Sequence, residues 1–176
     1  MAPRIIIPLY KGKGPRSECS NYRGITLLSA AGKVFAYLLL ARIKPTLLSH
    51  RRMQQSGFTL GRSTCDSILT LYNIVQRRQK YGRSTYAAYV DLHAAFYSIS
   101  RPALWLLLKR AGVPEKIVTL IRALYDQSVS CVRANGLQST WFKIMSGVRQ
   151  GCIMSPDLFA TGVKSTDLIY WRDQSE

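Results

Sequence analysis

Apolar positions recur at helical spacing through much of this 176-residue chain. Val34, Leu38 and Ala41 share one helical face, in a run expected to end at Pro45. Ile68, Leu71, Tyr72 and Val75 follow the i, i+3, i+4, i+7 pattern, with "QRRQK" as a solvated end. "SISRPALWLLLKRAG" predicts a helix with Ser100 as cap, Pro102 in its first turn and Gly112 as terminator. "PEKIVTLIRALY" repeats the design, with Ile117, Leu120, Ile121 and Leu124 inward. The pattern then changes: "SVSCVRANGLQSTWFKIM" reads as two β-rich runs joined by a loop containing Asn135-Gly136, a hairpin. A further strand is predicted within "TYAAYVDLHAAFYSIS" (residues 85–100), where Tyr86, Ala87, Ala88, Tyr89 and Val90 form a buried run that ends in Asp91.

Two looser segments punctuate these elements. "KGKGPRSECSNYRG" (residues 11–24) reads as an exposed basic loop, and "QKYGRS" (79–84) as a turn before the Asp91 strand. The order is basic loop and helices, buried strand, two helices, hairpin, glycine-rich loop, helix. That is an α+β plan whose sheet is built from non-local strands.

Composition sharpens this picture through charge. Hydrophobic residues make up 47% of the chain, enough for a folded core. Lys and Arg number 25 against 9 Asp and Glu, a formal net charge of +16. Such an excess points to a polyanionic partner, nucleic acid before a membrane surface. No apolar run reaches the ~18–20 residues of a membrane span, so no membrane partner is expected. No signal peptide is visible, and "QRRQK" is too weak to read as nuclear import. Cys19, Cys65, Cys131 and Cys152 are widely spaced, which argues against a zinc site and for reduced thiols. The expected location is intracellular, nuclear or cytoplasmic.

Asp91 admits two readings: a cap for the turn after its strand, or a metal ligand held by a rigid element. Phe96 sits five residues on. Later, in "SGVRQGCIMSPDLF" (146–159), Gly147 and Gly151 flank Val148, Arg149 and Gln150, ahead of a helix start at Ser155-Pro156-Asp157. A glycine-flanked turn of this kind can present backbone amides and an amide side chain to a nucleotide.

Six segments in order carry a resemblance: "PRIIIPLYKGKG", "NYRGITLLSAAGKVFAYLLLARI", "QQSGFTLGRSTCDSILTL", "AAYVDLHAAFYSI", "LLKRAGVPEKIVTLIRALY" and "SGVRQGCIMSPDLF". Over residues 3–159 the chain resembles the reverse transcriptase of LINE-type (non-LTR) retrotransposons. The resemblance implies right-hand polymerase fingers and an incomplete palm, an α+β fold with an antiparallel sheet packed by helices. Residues 1–84 would be the basic fingers-like segment, 85–159 the partial palm and 160–176 a divergent tail. It implies RNA-directed DNA polymerase activity, templated nucleotidyl transfer by two metal ions. The partners would be an RNA template, a DNA primer and deoxynucleoside triphosphates, with Mg²⁺ as cofactor.

Roles follow position by position. Asp91 matches the catalytic, metal-binding aspartate, with the backbone carbonyl of Leu92 sharing the ion. Phe96 matches the aromatic under the incoming sugar, which disfavours a ribose 2′-hydroxyl. Arg23 matches the residue that grips the triphosphate, with Lys11 or Lys13 assisting. Gln150 and Gly151 match the loop that contacts nucleotide and template-primer, with Arg149 beside them. Gly57, Phe58, Gly61 and Arg62 resemble the fingers segment that cradles the template.

The chain also departs from the family pattern. Tyr97 stands where the family usually has an aspartate, and His93, expected on the surface, and Ala94 replace the usual lysine-containing run. No Asp-Asp pair occurs, so the remaining carboxylates of a two-metal site are missing; Asp167 and Asp173 read as surface acids. As a fragment, the chain is therefore expected not to extend a primer by itself. One alternative is a catalytically silent module that binds RNA or an RNA–DNA duplex; another is a basic structural protein in which the motifs are relics.

Overall fold

The structure is a computed structural model describing residues 4–92, 94–126 and 129–170, with side chains described as far as residue 162. His93, Asp173 and the side chain of Asp167 lie outside the described residues. The chain divides into two compact units, residues 1–50 with 94–176, and residues 51–93.

In the first unit, β1 (Arg4–Tyr10) pairs antiparallel with β2 (Tyr22–Leu27), from Ile5 opposite Leu27 to Tyr10 opposite Tyr22. The basic loop between them is tied down by its own polar groups. Asn21 Nδ2 donates to the Pro15 carbonyl (2.8 Å), and the Tyr22 hydroxyl to that of Arg16 (2.9 Å). β3 (Val129–Ala134) lies parallel to β1, with Arg4 opposite Ser130 and Ile6 opposite Val132. β4 (Leu137–Gln138) and β5 (Phe142–Lys143) pair antiparallel with opposite ends of β3. The α+β class holds, and the sheet is mixed: three of its pairings are antiparallel as expected, while β1–β3 is parallel. Parallel neighbours need a long crossover, and over a hundred residues separate these two strands. The hairpin turn forms where Asn135 and Gly136 take φ of 50° and 77°, the paired left-handed residues of a type I′ turn.

Helices α1 (Ala30–Ser49), α3 (Ala95–Ser98), α4 (Arg101–Arg110), α5 (Glu115–Tyr125) and α6 (Ser155–Tyr170) complete this unit; α2 (Thr64–Lys80) belongs to the other unit. The core joins Leu39, Leu40, Ile43 and Leu47 of α1 to Leu104 and Leu108 of α4, Ile121 of α5 and Leu158 of α6. Two expectations for α1 are corrected. The buried face carries Ala36, Leu39, Leu40, Ile43 and Leu47, whereas Val34, Leu38 and Ala41 face outward. The helix also runs through Pro45, because burial of Ile43 and Leu47 on either side outweighs the hydrogen bond that proline removes. On α5 the inward set is Val118, Ile121, Leu124 and Tyr125; Leu120 points outward.

The end of α4 fulfils its expected design. Gly112 takes φ +82°, its amide donates to Lys109 O (2.9 Å), and the amide of Val113 donates to Leu108 O (3.0 Å). That is a Schellman closure, with Val113 and Leu108 both in the core.

The second unit holds α2 (Thr64–Lys80), started by a capping box in which Ser63 and Asp66 exchange hydrogen bonds with each other's backbone. Its predicted apolar stripe exists but is exposed, and no described residue of this unit is buried. The predicted buried strand before Asp91 does not form. Residues 84–92 have no regular structure, and Tyr86, Tyr89 and Val90 are 94%, 87% and 85% exposed. A strand is stable only when a neighbour takes up its backbone hydrogen bonds. Among the described residues none pairs with this segment.

Gly112→Ala forces a side chain into the left-handed region. It is expected to cost about 1 kcal/mol and lower the thermal midpoint by about 2–4 °C, measured by circular dichroism.

Candidate functional site

The glycine-flanked loop at 146–151 is fixed from three directions, all within the first unit. The Gly147 amide donates to Ile99 O (2.9 Å) and the Val148 amide to Phe96 O (2.7 Å). Gln150 O accepts from the Thr26 amide of β2 (2.8 Å). Both glycines are required by space as well as by backbone angle. A Cβ on Gly147 would lie 2.6 Å from Tyr97 Cα, and one on Gly151 2.9 Å from Thr26 O, with φ of +74° and +103°.

Arg101 grips the same loop from the start of α4. Its guanidinium donates to Gly147 O (2.9 Å), Ile144 O (2.8 Å) and Ser146 O (3.0 Å). An arginine in the first turn opposes the helix dipole, so these carbonyls are what make its position favourable. Arg4, Arg101 and Arg149 converge on the C-terminus of α5. Arg4 donates to Leu124 O (2.7 Å), Arg149 to the same oxygen, and Arg101 to Tyr125 O (3.5 Å). The Arg149 and Arg101 guanidinium carbons lie 4.3 and 5.1 Å from the Tyr125 ring centre. Burial first, and then the neighbouring Arg4 charge, bring the Arg149 pKa down to about 10, which leaves it cationic at neutral pH.

The expected site residues divide between the units. Arg23, Lys11, Phe96, Arg149, Gln150 and Gly151 are in the first; Gly57, Phe58, Gly61, Arg62, Asp91 and Leu92 are in the second. Within the first unit, Phe96 stacks on Phe159 (4.8 Å, 18°) and adjoins the loop through its carbonyl. Gln150 reaches Tyr97, which also touches Gly24, the residue after Arg23. Arg23 is exposed, and Lys11 is exposed with its Nζ on Ser20 O (2.7 Å). Arg149 is only 7% exposed, and its guanidinium faces α5 instead of the surface.

In the second unit, Phe58 and Gly61 take left-handed φ of 56° and 73°, while Gly57 has open space around it. Arg51 donates to Phe58 O (2.9 Å), and Arg62 to Met53 O, so these arginines shape the 51–62 turn from within. Asp91 and Leu92 are exposed and belong to no element.

Among the described residues no group of three or more His, Cys, Asp or Glu side chains is placed to hold a metal ion. One exposed carboxylate with a carbonyl beside it falls short of the fixed oxygen donors that Mg²⁺ needs, so these residues do not fit the ion by themselves. The side chains that the sequence reading missed are Tyr97, Arg101 and Arg4. An arginine set between a helix cap and a proline was the available signal for Arg101.

Comparison with known proteins agrees with the motifs. The family described as "Reverse transcriptase (RNA-dependent DNA polymerase)" matches residues 11–167, and the chain belongs to it. The chain is 25% identical over 158 residues to the RNA-directed DNA polymerase from mobile element jockey of Drosophila melanogaster, covering 88% of this chain and 17% of that protein. It is 29% identical over 140 residues to the Retrovirus-related Pol polyprotein from type-2 retrotransposable element R2DM of the same species, covering 79% and 13%. It is 24% identical over 161 residues to the Transposon TX1 uncharacterized 149 kDa protein of Xenopus laevis, covering 92% and 12%. The LINE-type (non-LTR) assignment read from the motifs stands. The chain thus spans between 12% and 17% of the length of these curated relatives. No helix among the described residues is long and apolar enough to cross a membrane.

Gly147→Ala must displace backbone and is expected to cost about 3 kcal/mol. Gly57→Ala, which meets nothing within 4 Å, is expected to change stability by less than about 0.5 kcal/mol, both read from urea unfolding.

Proposed function

We propose that this chain supplies the nucleotide-facing and template-facing part of a non-LTR retrotransposon polymerase, which copies an RNA template from a DNA primer with deoxynucleoside triphosphates. The observation that carries the reading is the loop 146–151, held rigidly against β2 beside Arg23 and against the Phe96 turn. Preorganised groups of this kind stabilise charge without rearranging at the moment of reaction.

In this reading Arg23, assisted by Lys11, meets the triphosphate; Phe96 lies under the sugar; Gln150 and Gly151 contact nucleotide and template-primer. Gly57, Phe58, Gly61 and Arg62 cradle the template. Arg149 supports the template-primer contact from inside, through the loop that it holds. Asp91 is the catalytic carboxylate and, with the Leu92 carbonyl, the part of the Mg²⁺ ligand set that lies in these residues. The 176 residues alone do not extend a primer, because the other carboxylates of the site are not among them. A second reading, an RNA or RNA–DNA binding module without catalysis, draws support from the +16 charge and the exposed position of Asp91.

Primer extension on an RNA template with Mg²⁺, beside an Asp91→Ala variant, tests both readings. The expected result is no extension by either protein, with duplex binding that falls by about 10³-fold from 50 to 200 mM salt. Extension abolished by Asp91→Ala would overturn the inactivity of the isolated chain. Salt-insensitive or absent duplex binding would overturn both readings.

A further inference from the structure

The departure at Tyr97 has a structural counterpart that the family pattern does not explain. The Tyr97 hydroxyl oxygen lies 2.8 Å from Gly24 O and 3.0 Å from the Gln150 side-chain oxygen. A phenol carries one proton, and a carbonyl oxygen and an amide oxygen both only accept. One of the two contacts would then set lone pair against lone pair. The oxygen and nitrogen of a glutamine amide are nearly interchangeable in shape, so rotating the amide by half a turn resolves the conflict. Tyr97 then donates to Gly24 O and accepts from Gln150 Nε2.

We infer that Tyr97 is a positioning residue that holds the Gln150 amide with its nitrogen inward and its carbonyl oxygen outward. Three further features agree. Gly24 leaves room for the phenol, since a Cβ there would come within 3.3 Å of the hydroxyl and 3.0 Å of Ile6 Cγ2. Partial desolvation raises the pKa of the hydroxyl, whose residue is 43% exposed, above the usual tyrosine value, and it is a donor at neutral pH. The aspartate usual in the family is shorter and, when ionised, has no proton to give Gly24 O. The same phenol therefore ties the β2 carbonyl next to Arg23 to the loop residue Gln150. An outward carbonyl is an acceptor, so the group it meets must carry an O–H or N–H and is not a phosphate oxygen. The last step rests on the polymerase reading; the amide orientation does not.

The test uses the full 176-residue chain labelled with ¹⁵N-glutamine. The Gln150 side-chain NH₂ is expected to show a displaced signal with contacts to the Tyr97 ring, and Tyr97→Phe to return it to the position of exposed glutamines. Tyr97→Leu, which also removes the hydroxyl and keeps the Gln150 signal, serves if Tyr97→Phe does not fold. Titration with dATP and Mg²⁺ is expected to show about tenfold weaker binding for Tyr97→Phe and for Gln150→Ala, with no further loss in the double variant. Unchanged Gln150 signals in Tyr97→Phe, or additive losses in the double variant, would overturn the positioning role. Displaced Gln150 signals in a wild-type chain that binds no dATP would support the amide orientation and overturn the nucleotide contact proposed for Gln150.

Discussion

The architecture of the first unit depends on a steric constraint at Gly147. There the chain passes so close to the Phe96–Tyr97 backbone that no side chain fits. The close approach lets the Gly147 and Val148 amides reach Ile99 O and Phe96 O, which fixes the turn after Asp91 to the loop that follows the hairpin. Gly151 repeats the approach on the other side, against Thr26. With both ends held, the residues between them have little freedom, and Gln150 is presented beside β2 with no ligand required to order it.

Cations finish what glycines begin. Three arginines meet the carbonyl end of α5, where helix carbonyls lack internal partners and the dipole is negative. Arg101 also closes the loop carbonyls from outside. Part of the positive charge of this chain therefore serves the fold, while Lys11 and Arg23, proposed to meet phosphate, are exposed on the loop and strand that carry them. Counting basic residues alone would not separate the two groups.

How much was legible in the sequence varied with how local the cause was. The Asn135-Gly136 hairpin and the Gly112 stop follow from backbone preferences acting within a few residues, and each formed. The α1 face was misjudged because its apolar residues run nearly all the way round, so only packing decides which side is buried. The Asp91 strand did not form because its apolar character needs a partner strand, which none of the described residues provides. Arg149 looked like a surface contact because nothing local reveals that Tyr125 and Leu124 lie beside it. Tyr97 appeared only as a lost carboxylate; its gained contacts with Gly24 and Gln150 lie 73 and 53 residues away in the chain.

The central claim is that the Gln150 loop is preorganised while the Asp91 segment, in these residues, is not. Amide hydrogen exchange on the 176-residue chain tests this most directly. The account predicts slow exchange at Gly147, Val148 and Thr26, comparable to the α5 core, and fast exchange at residues 86–92. Protection of residues 86–92 at the level of the core helices, or its absence at Val148 and Thr26, would contradict it.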